Sequence, residues 1–287
     1  MTRHEIPSGP VQAHVLTRIG LATAVALAAA AAIALIVSSA PARGGSATLM
    51  PDLVTLPIPQ EAVFVEPDEK GTTVLRLSNE IGNRANGPLE VFPGPASIDC
   101  DGDGDPENDR DASQRIFADT NGSGGYEAGL DAVDSERAFG CMRYHPAHNH
   151  WHVLDIARYE LRREDSGKIV AQSRKVGFCF TDTRVAFPSA FTPPIGTYPI
   201  GSAKPIGCDA TSTQGISAGW ADLYAFSLPG QQLRVDGLPR GKYCLSSFAD
   251  PHDLIDELSE DNNVRRVRLN LRPGKLRVRT LPGVCRL

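Results

Sequence analysis

The chain has 287 residues and a formal net charge of −5, with 27 Gly and 22 Pro. This mildly acidic composition offers no basic footprint for nucleic acid, and the Gly and Pro content indicates many turns. The length allows one large β domain or two small ones after roughly 40 leading residues are set aside.

The first element is apolar. Arg3 and Arg18 precede an uninterrupted hydrophobic run from Ile19 to Val37, and no charge falls between Arg18 and Arg43. The flanking Arg residues favour the cytoplasmic side. Ala40-Pro41-Ala42 has the small-x-small pattern of a signal-peptidase site. Residues 1–42 therefore read as a helical signal peptide, or as an uncleaved membrane anchor, since the run approaches the ~20 residues that span a bilayer. Either reading places the remainder outside the cytoplasm, secreted or in the cell envelope.

Residues 43–60 are rich in Pro and Gly and read as a linker. Residues 61–287 read as the folded domain. Short β-branched segments bounded by turn residues predict strands at Ala62–Glu66, Thr72–Ser78, Leu89–Phe92, Trp151–Arg162 and Ile169–Thr181. Others follow at Ala221–Ser227, Gln231–Val235, Tyr243–Ala249 and Val264–Leu271. The last of these alternates apolar residues with Arg, as expected of a strand with one face in water. The pattern predicts an all-β domain of the immunoglobulin-like sandwich type with long loops.

Residues 97–134 depart from it as an acidic, Asp/Gly-rich insertion. Asp99, Asp101, Asp103 and Asp105 alternate with small residues, and Asp119 and Asn121 open a second Gly-rich stretch. Such oxygen-rich loops suit Ca²⁺. Neither completes an EF-hand, because the twelfth position is Ala112 or Leu130, so a solvated acidic insertion is the competing reading.

The six Cys all lie after the leader, which favours disulfides in an oxidising compartment. Fifteen connectivities are open to six Cys. Pairing of neighbours would give Cys100–Cys141, Cys179–Cys208 and Cys244–Cys285. No Cys-x-x-Cys occurs, which argues against a redox motif or a zinc ribbon.

Four of the seven His fall in one segment, His145-Pro146-Ala147-His148-Asn149-His150-Trp151-His152. On an extended strand, residues at i, i+2 and i+4 share a face. His148, His150 and His152 would then converge on one ion. His145 is out of phase beyond Pro146 and is expected to be supporting or structural. Imidazole suits zinc and copper alike. Trp151 stands where a metallo-β-lactamase motif wants Asp, and His252 is poorly spaced to be the distant His of a cupin. Spacing alone leaves both metals open, and with them a zinc hydrolase.

Here the residues match a family. His148-Asn149-His150-Trp151-His152 resembles the copper motif of the lysyl oxidases. Arg174-Lys175-Val176-Gly177-Phe178-Cys179-Phe180-Thr181-Asp182-Thr183 looks like the segment carrying that family's modified Lys. Gln214-Gly215-Ile216-Ser217-Ala218-Gly219-Trp220-Ala221-Asp222-Leu223-Tyr224 looks like the segment carrying its modified Tyr. The similarity covers roughly residues 140–271, and the three segments occur in the family's order.

The resemblance implies copper held by His148, His150 and His152, and a lysine tyrosylquinone formed from Lys175 and Tyr224. A lysine-bearing protein or small primary amine would condense with the quinone, leave as an aldehyde, and release ammonia, with O₂ reduced to H₂O₂. Asp182 is the base candidate nearest Lys175 in sequence, with a turn-capping role as the alternative. Asp155 reads as structural. Departures from the animal enzymes are Ala147 and Trp220, each in place of a Cys, and Thr183-Arg184 where a second Cys would follow Cys179. These bear on the disulfides rather than on the metal or cofactor residues. A non-catalytic copper-binding sandwich protein of the cell envelope remains the alternative to an enzyme.

Overall fold

The computed structural model describes residues 46–100, 102–104, 106–147, 149–173, 176–198 and 213–285. The predicted leader lies outside them. No helix of the described residues is long and apolar enough to cross a membrane.

The described residues form eighteen strands: β1 (Ala47–Leu49), β2 (Leu53–Thr55), β3 (Val63–Pro67), β4 (Thr73–Leu77), β5 (Asn79–Asn83) and β6 (Leu89–Pro93). Then come β7 (Asp109–Asp119), β8 (Ala132–His145), β9 (His150–Arg163), β10 (Ile169–Gln172), β11 (Val176–Phe178) and β12 (Arg184–Val185). The last six are β13 (Gln214–Ile216), β14 (Trp220–Tyr224), β15 (Gln232–Arg234), β16 (Gly241–Ala249), β17 (Val264–Arg272) and β18 (Arg277–Leu281). One eleven-stranded sheet runs β13-β6-β7-β8-β9-β16-β17-β18, with β1 on β7 and β10 and β11 on β9. A four-stranded sheet (β12-β14-β5-β2) and a three-stranded sheet (β15-β4-β3) complete the fold, and every pairing is antiparallel. The all-β expectation holds. Three sheets make this a larger assembly than the seven to nine strands of an immunoglobulin sandwich.

Alternation explains the layers. Along β9, Val153, Tyr159 and Leu161 are fully buried, as are Tyr243 and Leu245 of β16 and Leu269 and Leu271 of β17. They form one core with Leu75, Leu77 and Ile81 beneath. Two disulfides pin the sheet: Cys100–Cys141 near the His-bearing end and Cys244–Cys285 at the C-terminal edge. Both match neighbour pairing. Cys179 is also disulfide-bonded, and Cys208 lies outside the described residues.

Three expectations need correction. Part of the linker is strand: β1 and β2 join the sheets because Leu49, Leu53, Leu56 and Ile58 are buried between the prolines. The acidic insertion contains β7, a central strand of the main sheet. Its ends are polar, but Asp109 is buried against the Arg143 guanidinium, with both carboxylate oxygens bonded at 2.8 Å. Finally, the strand predicted at 169–181 is two strands. Ser173 breaks it, its hydroxyl accepting the Tyr159 N–H at 2.9 Å. Beyond that break β9 carries extra residues. Val176 pairs with Ala157 and Phe178 with Val153, so four steps on β9 match two on β11. Asp155, in the excess, takes a left-handed φ of 60°.

Candidate functional site

β8 and β9 form a hairpin in which His145 sits directly opposite His150. Its turn is closed by the Asn149 N–H donating to the His145 carbonyl at 2.8 Å, with Asn149 at φ 58°. β9 begins at His150, one residue before the predicted strand at Trp151–Arg162, and His148 lies outside the described residues. His150 and His152 do share a face. Their Nε2 atoms are 2.9 Å apart. The His145 ring stacks on His152, with centroids 5.3 Å apart. Sequence reading undervalued His145: the hairpin, not the spacing, brings it alongside. Arg143, opposite His152, anchors this face to Asp109.

Behind the same strand lies the second group of residues. Phe178 pairs with Val153, next to His152. Gly177 permits the approach, since a Cβ there would meet Leu154 Cδ2 at 2.7 Å and the Val153 carbonyl oxygen at 2.9 Å. The Tyr224 ring lies on Phe178 with centroids 4.1 Å apart. Its hydroxyl donates to the Cys179 carbonyl at 2.8 Å and accepts the Cys179 N–H at 3.0 Å. Burial, reinforced by the Asp222 carboxylate, raises the phenol well above its ordinary value. Two residues earlier, Asp222 accepts the Thr181 N–H at 3.2 Å and the Thr181 hydroxyl at 3.3 Å. Burial raises its carboxyl well above the usual range. Asp222 and Tyr224 therefore grip the backbone of 179–181 as a ladder strand would. The imidazoles and the phenol lie on opposite faces of β9, because His150 and His152 alternate with the buried Val153. Lys175 lies outside the described residues.

Gln214 connects these parts, which sequence reasoning missed. Buried in β13, it donates to the Trp151 carbonyl between the two His at 2.6 Å. It accepts the Phe180 N–H at 3.1 Å. No sequence signal marks a Gln for this role apart from its place in the Tyr segment.

Asp182 is fully buried and works as a clasp. It accepts the Ser217 N–H at 2.8 Å, the Ser217 hydroxyl at 2.7 Å and the Tyr198 N–H at 3.1 Å. That is the turn-capping role and not a base facing substrate.

The residues proposed for calcium fall into two loops. Asp99 accepts the Gly102 and Gly104 N–H groups. Asp119 accepts those of Ser123 and Gly124, and Asn121 also accepts Ser123. The eleven residues of β7 separate the two loops by about 33 Å. Asp101 and Asp105 lie outside the described residues. A tighter carboxylate group lies elsewhere: oxygens of Asp250, Glu257 and Glu260 come within 4.8 Å of one another.

Among known proteins, the family model described as Lysyl oxidase matches residues 132–280. The chain is 28% identical over 128 residues to Lysyl oxidase homolog 1 of Homo sapiens, covering 44% of this chain and 20% of that protein. It is 28% identical over 127 residues to Protein-lysine 6-oxidase of Rattus norvegicus, covering 44% of this chain and 28% of that protein. The chain thus spans less than a third of the length of these relatives.

Proposed function

The chain belongs to the lysyl oxidase family, and on that premise we propose that it is a copper amine oxidase whose quinone is built from its own Lys175 and Tyr224. The net reaction converts RCH₂NH₂, O₂ and H₂O to RCHO, NH₃ and H₂O₂. The substrate class is a peptidyl lysine or a small primary amine, met outside the cytoplasm, where disulfides persist.

The observation that carries this reading is the convergence of the two imidazoles. Two nitrogens about 2.0 Å from one ion lie about 2.8 Å apart at a 90° angle and about 3.3 Å apart at the tetrahedral angle. The 2.9 Å between the His150 and His152 Nε2 atoms is short enough for both imidazoles to reach one ion, and the choice of copper over zinc rests on the family. His148 completes the ligand set on the sequence pattern. When bound, copper supplies the one-electron chemistry with O₂ that oxidises the phenol ring.

The chain's own residues set the conditions for that step. Burial keeps the Tyr224 phenol protonated and the Cys179 backbone holds it on the face away from the imidazoles, so the ring has to leave this clasp before it is processed. Gln214 ties the metal strand to the segment that follows Lys175. Asp222, whose carboxyl is pushed up by burial, positions the 179–181 backbone. The calcium reading is not carried forward, because the Asp99 and Asp119 carboxylates already serve backbone N–H groups in separate loops.

The test is peptide mapping of copper-loaded protein for a Lys175–Tyr224 cross-link, with peroxide release from a primary amine measured alongside. Both should vanish in Lys175→Ala and Tyr224→Phe. Copper-loaded protein with neither the cross-link nor peroxide release would leave a non-catalytic copper-binding protein.

A further inference from the structure

We propose that the cleft between β18 and β3 is a docking groove for an extended, acidic polypeptide segment. The inference is independent of the oxidase reading. β18 closes the eleven-stranded sheet and β3 closes the three-stranded one, so each presents an outer edge to the cleft. Between them lies a cavity of about 500 Å³, with Val63 and Val65 buried at its floor and Phe64 and Val278 half-buried in its walls. Arg272, Arg277 and Arg279 line the same cavity. Arg272 also borders an adjoining cavity of about 370 Å³ with Arg240 and Lys275.

These five cations are exposed. Among the described residues none is paired with a carboxylate; Glu66 is engaged by Arg76, Glu164 by Arg268 and Asp236 by Arg234, while Glu61, beside Gln60 of the lining, is exposed. Arg272 and Arg277 are direct cross-strand partners. Like charges placed so are destabilising. A chain of net charge −5 has therefore gathered unopposed positive charge at one concave place. An anionic occupant relieves that repulsion.

The spacing selects the occupant. Arg277 and Arg279 share a face of β18, about 7 Å apart. Carboxylates at i and i+2 of an extended peptide have the same pitch, and each guanidinium can take one in a bidentate pair. On the outer edge of β18 the Thr280 N–H is already taken by the Gln60 side chain at 2.6 Å, and the remaining groups can add main-chain hydrogen bonds to a strand laid beside it. A small phosphate would instead require the cations to converge on one point. A lipid surface would favour several protruding apolar groups, whereas here Leu276 alone of the apolar lining is exposed and Val63, Phe64, Val65 and Val278 line the floor and walls. The groove lies at the far end of β9 from the imidazoles: Arg272 pairs beyond Leu271, whose partner Gly241 sits past the Tyr243–Arg163 pair. That is about 40 Å along the strand from His150, so an occupant here would leave the metal face open.

The experiment uses the full chain and a fluorescein-labelled poly-glutamate of about twenty residues, read by anisotropy at low and moderate salt. Saturable binding is expected, at least tenfold weaker in Arg277→Glu/Arg279→Glu. It should stay within twofold in Arg265→Glu/Arg266→Glu, which makes the same charge change at the other end of β17. Arg277→Gln/Arg279→Gln, milder for folding, should also weaken it. Absence of saturable binding overturns the proposal. So does equal loss in the Arg265/Arg266 variant, or displacement of the peptide by equimolar phosphate or by phosphatidylglycerol vesicles. No turnover enters the readout, so failure here leaves the amine oxidase reading untouched.

Discussion

Tyr224→Phe isolates the clasp on the phenol. The substitution keeps the ring on Phe178 and removes one oxygen, which makes two hydrogen bonds to the same residue, at 2.8 and 3.0 Å. Each is worth about 1 kcal/mol net, and leaving a buried N–H or C=O unpaired raises the cost to about 1–3 kcal/mol. The loss should be roughly 2–4 kcal/mol, or about 4–16 °C in melting temperature for a domain of this size. The assay is thermal and urea unfolding of copper-free protein with disulfides intact, where Tyr224 is still a phenol. An unchanged midpoint would refute the reasoning: Cys179 would not be holding the hydroxyl, and the ring would already be free to move. Copper loading should narrow the difference between the two proteins if the wild-type ring leaves its clasp on processing.

Other consequences are equally direct. His150→Ala or His152→Ala should weaken copper binding by at least roughly 100-fold, as competition with a chelator would show, while His145→Ala should cost only about 10–100-fold, the range of supporting residues. Gln214→Ala strands the Trp151 carbonyl and the Phe180 N–H and should cost about 2 kcal/mol in urea unfolding, with the quinone yield falling alongside. Burial is the main cause of the Glu257 carboxyl rising from 4.5 to about 8, with Glu260 and Asp250 adding to it. An acid whose pKa is raised by folding stabilises the fold fully below its unfolded value. Stability should therefore fall by roughly 4 kcal/mol as pH rises from about 4.5 to about 8. Glu257→Gln should flatten that dependence, and a slope that persists in the variant would assign it to another group.

The shared face of His150 and His152 was legible because strand alternation is the simplest periodicity a sequence has. Lys175 and Tyr224 were not legible in that way: alone, a lysine and a core tyrosine carry no signal, and only the flanking segments mark them. β7 and β8 escaped notice, β7 for a physical reason. Hydrophobic alternation finds strands whose buried face is apolar, but β7 buries Asp109 on Arg143 and Gln114 against the Asp256 backbone. A polar residue satisfied by a distant partner reads as loop. His145 was undervalued likewise, since cross-strand proximity depends on a turn that spacing does not reveal.

The surplus on β9 has a consequence for insertions and deletions. Four steps against two on β11 leave an excess of two residues, an even number, so side chains before and after Asp155 keep the same parity. Deleting Asp155 alone would invert one half of the strand, sending either the imidazoles or Tyr159 and Leu161 to the wrong side. Removing Leu154 and Asp155 together would restore the facing. Length variation in this strand is therefore quantised in pairs.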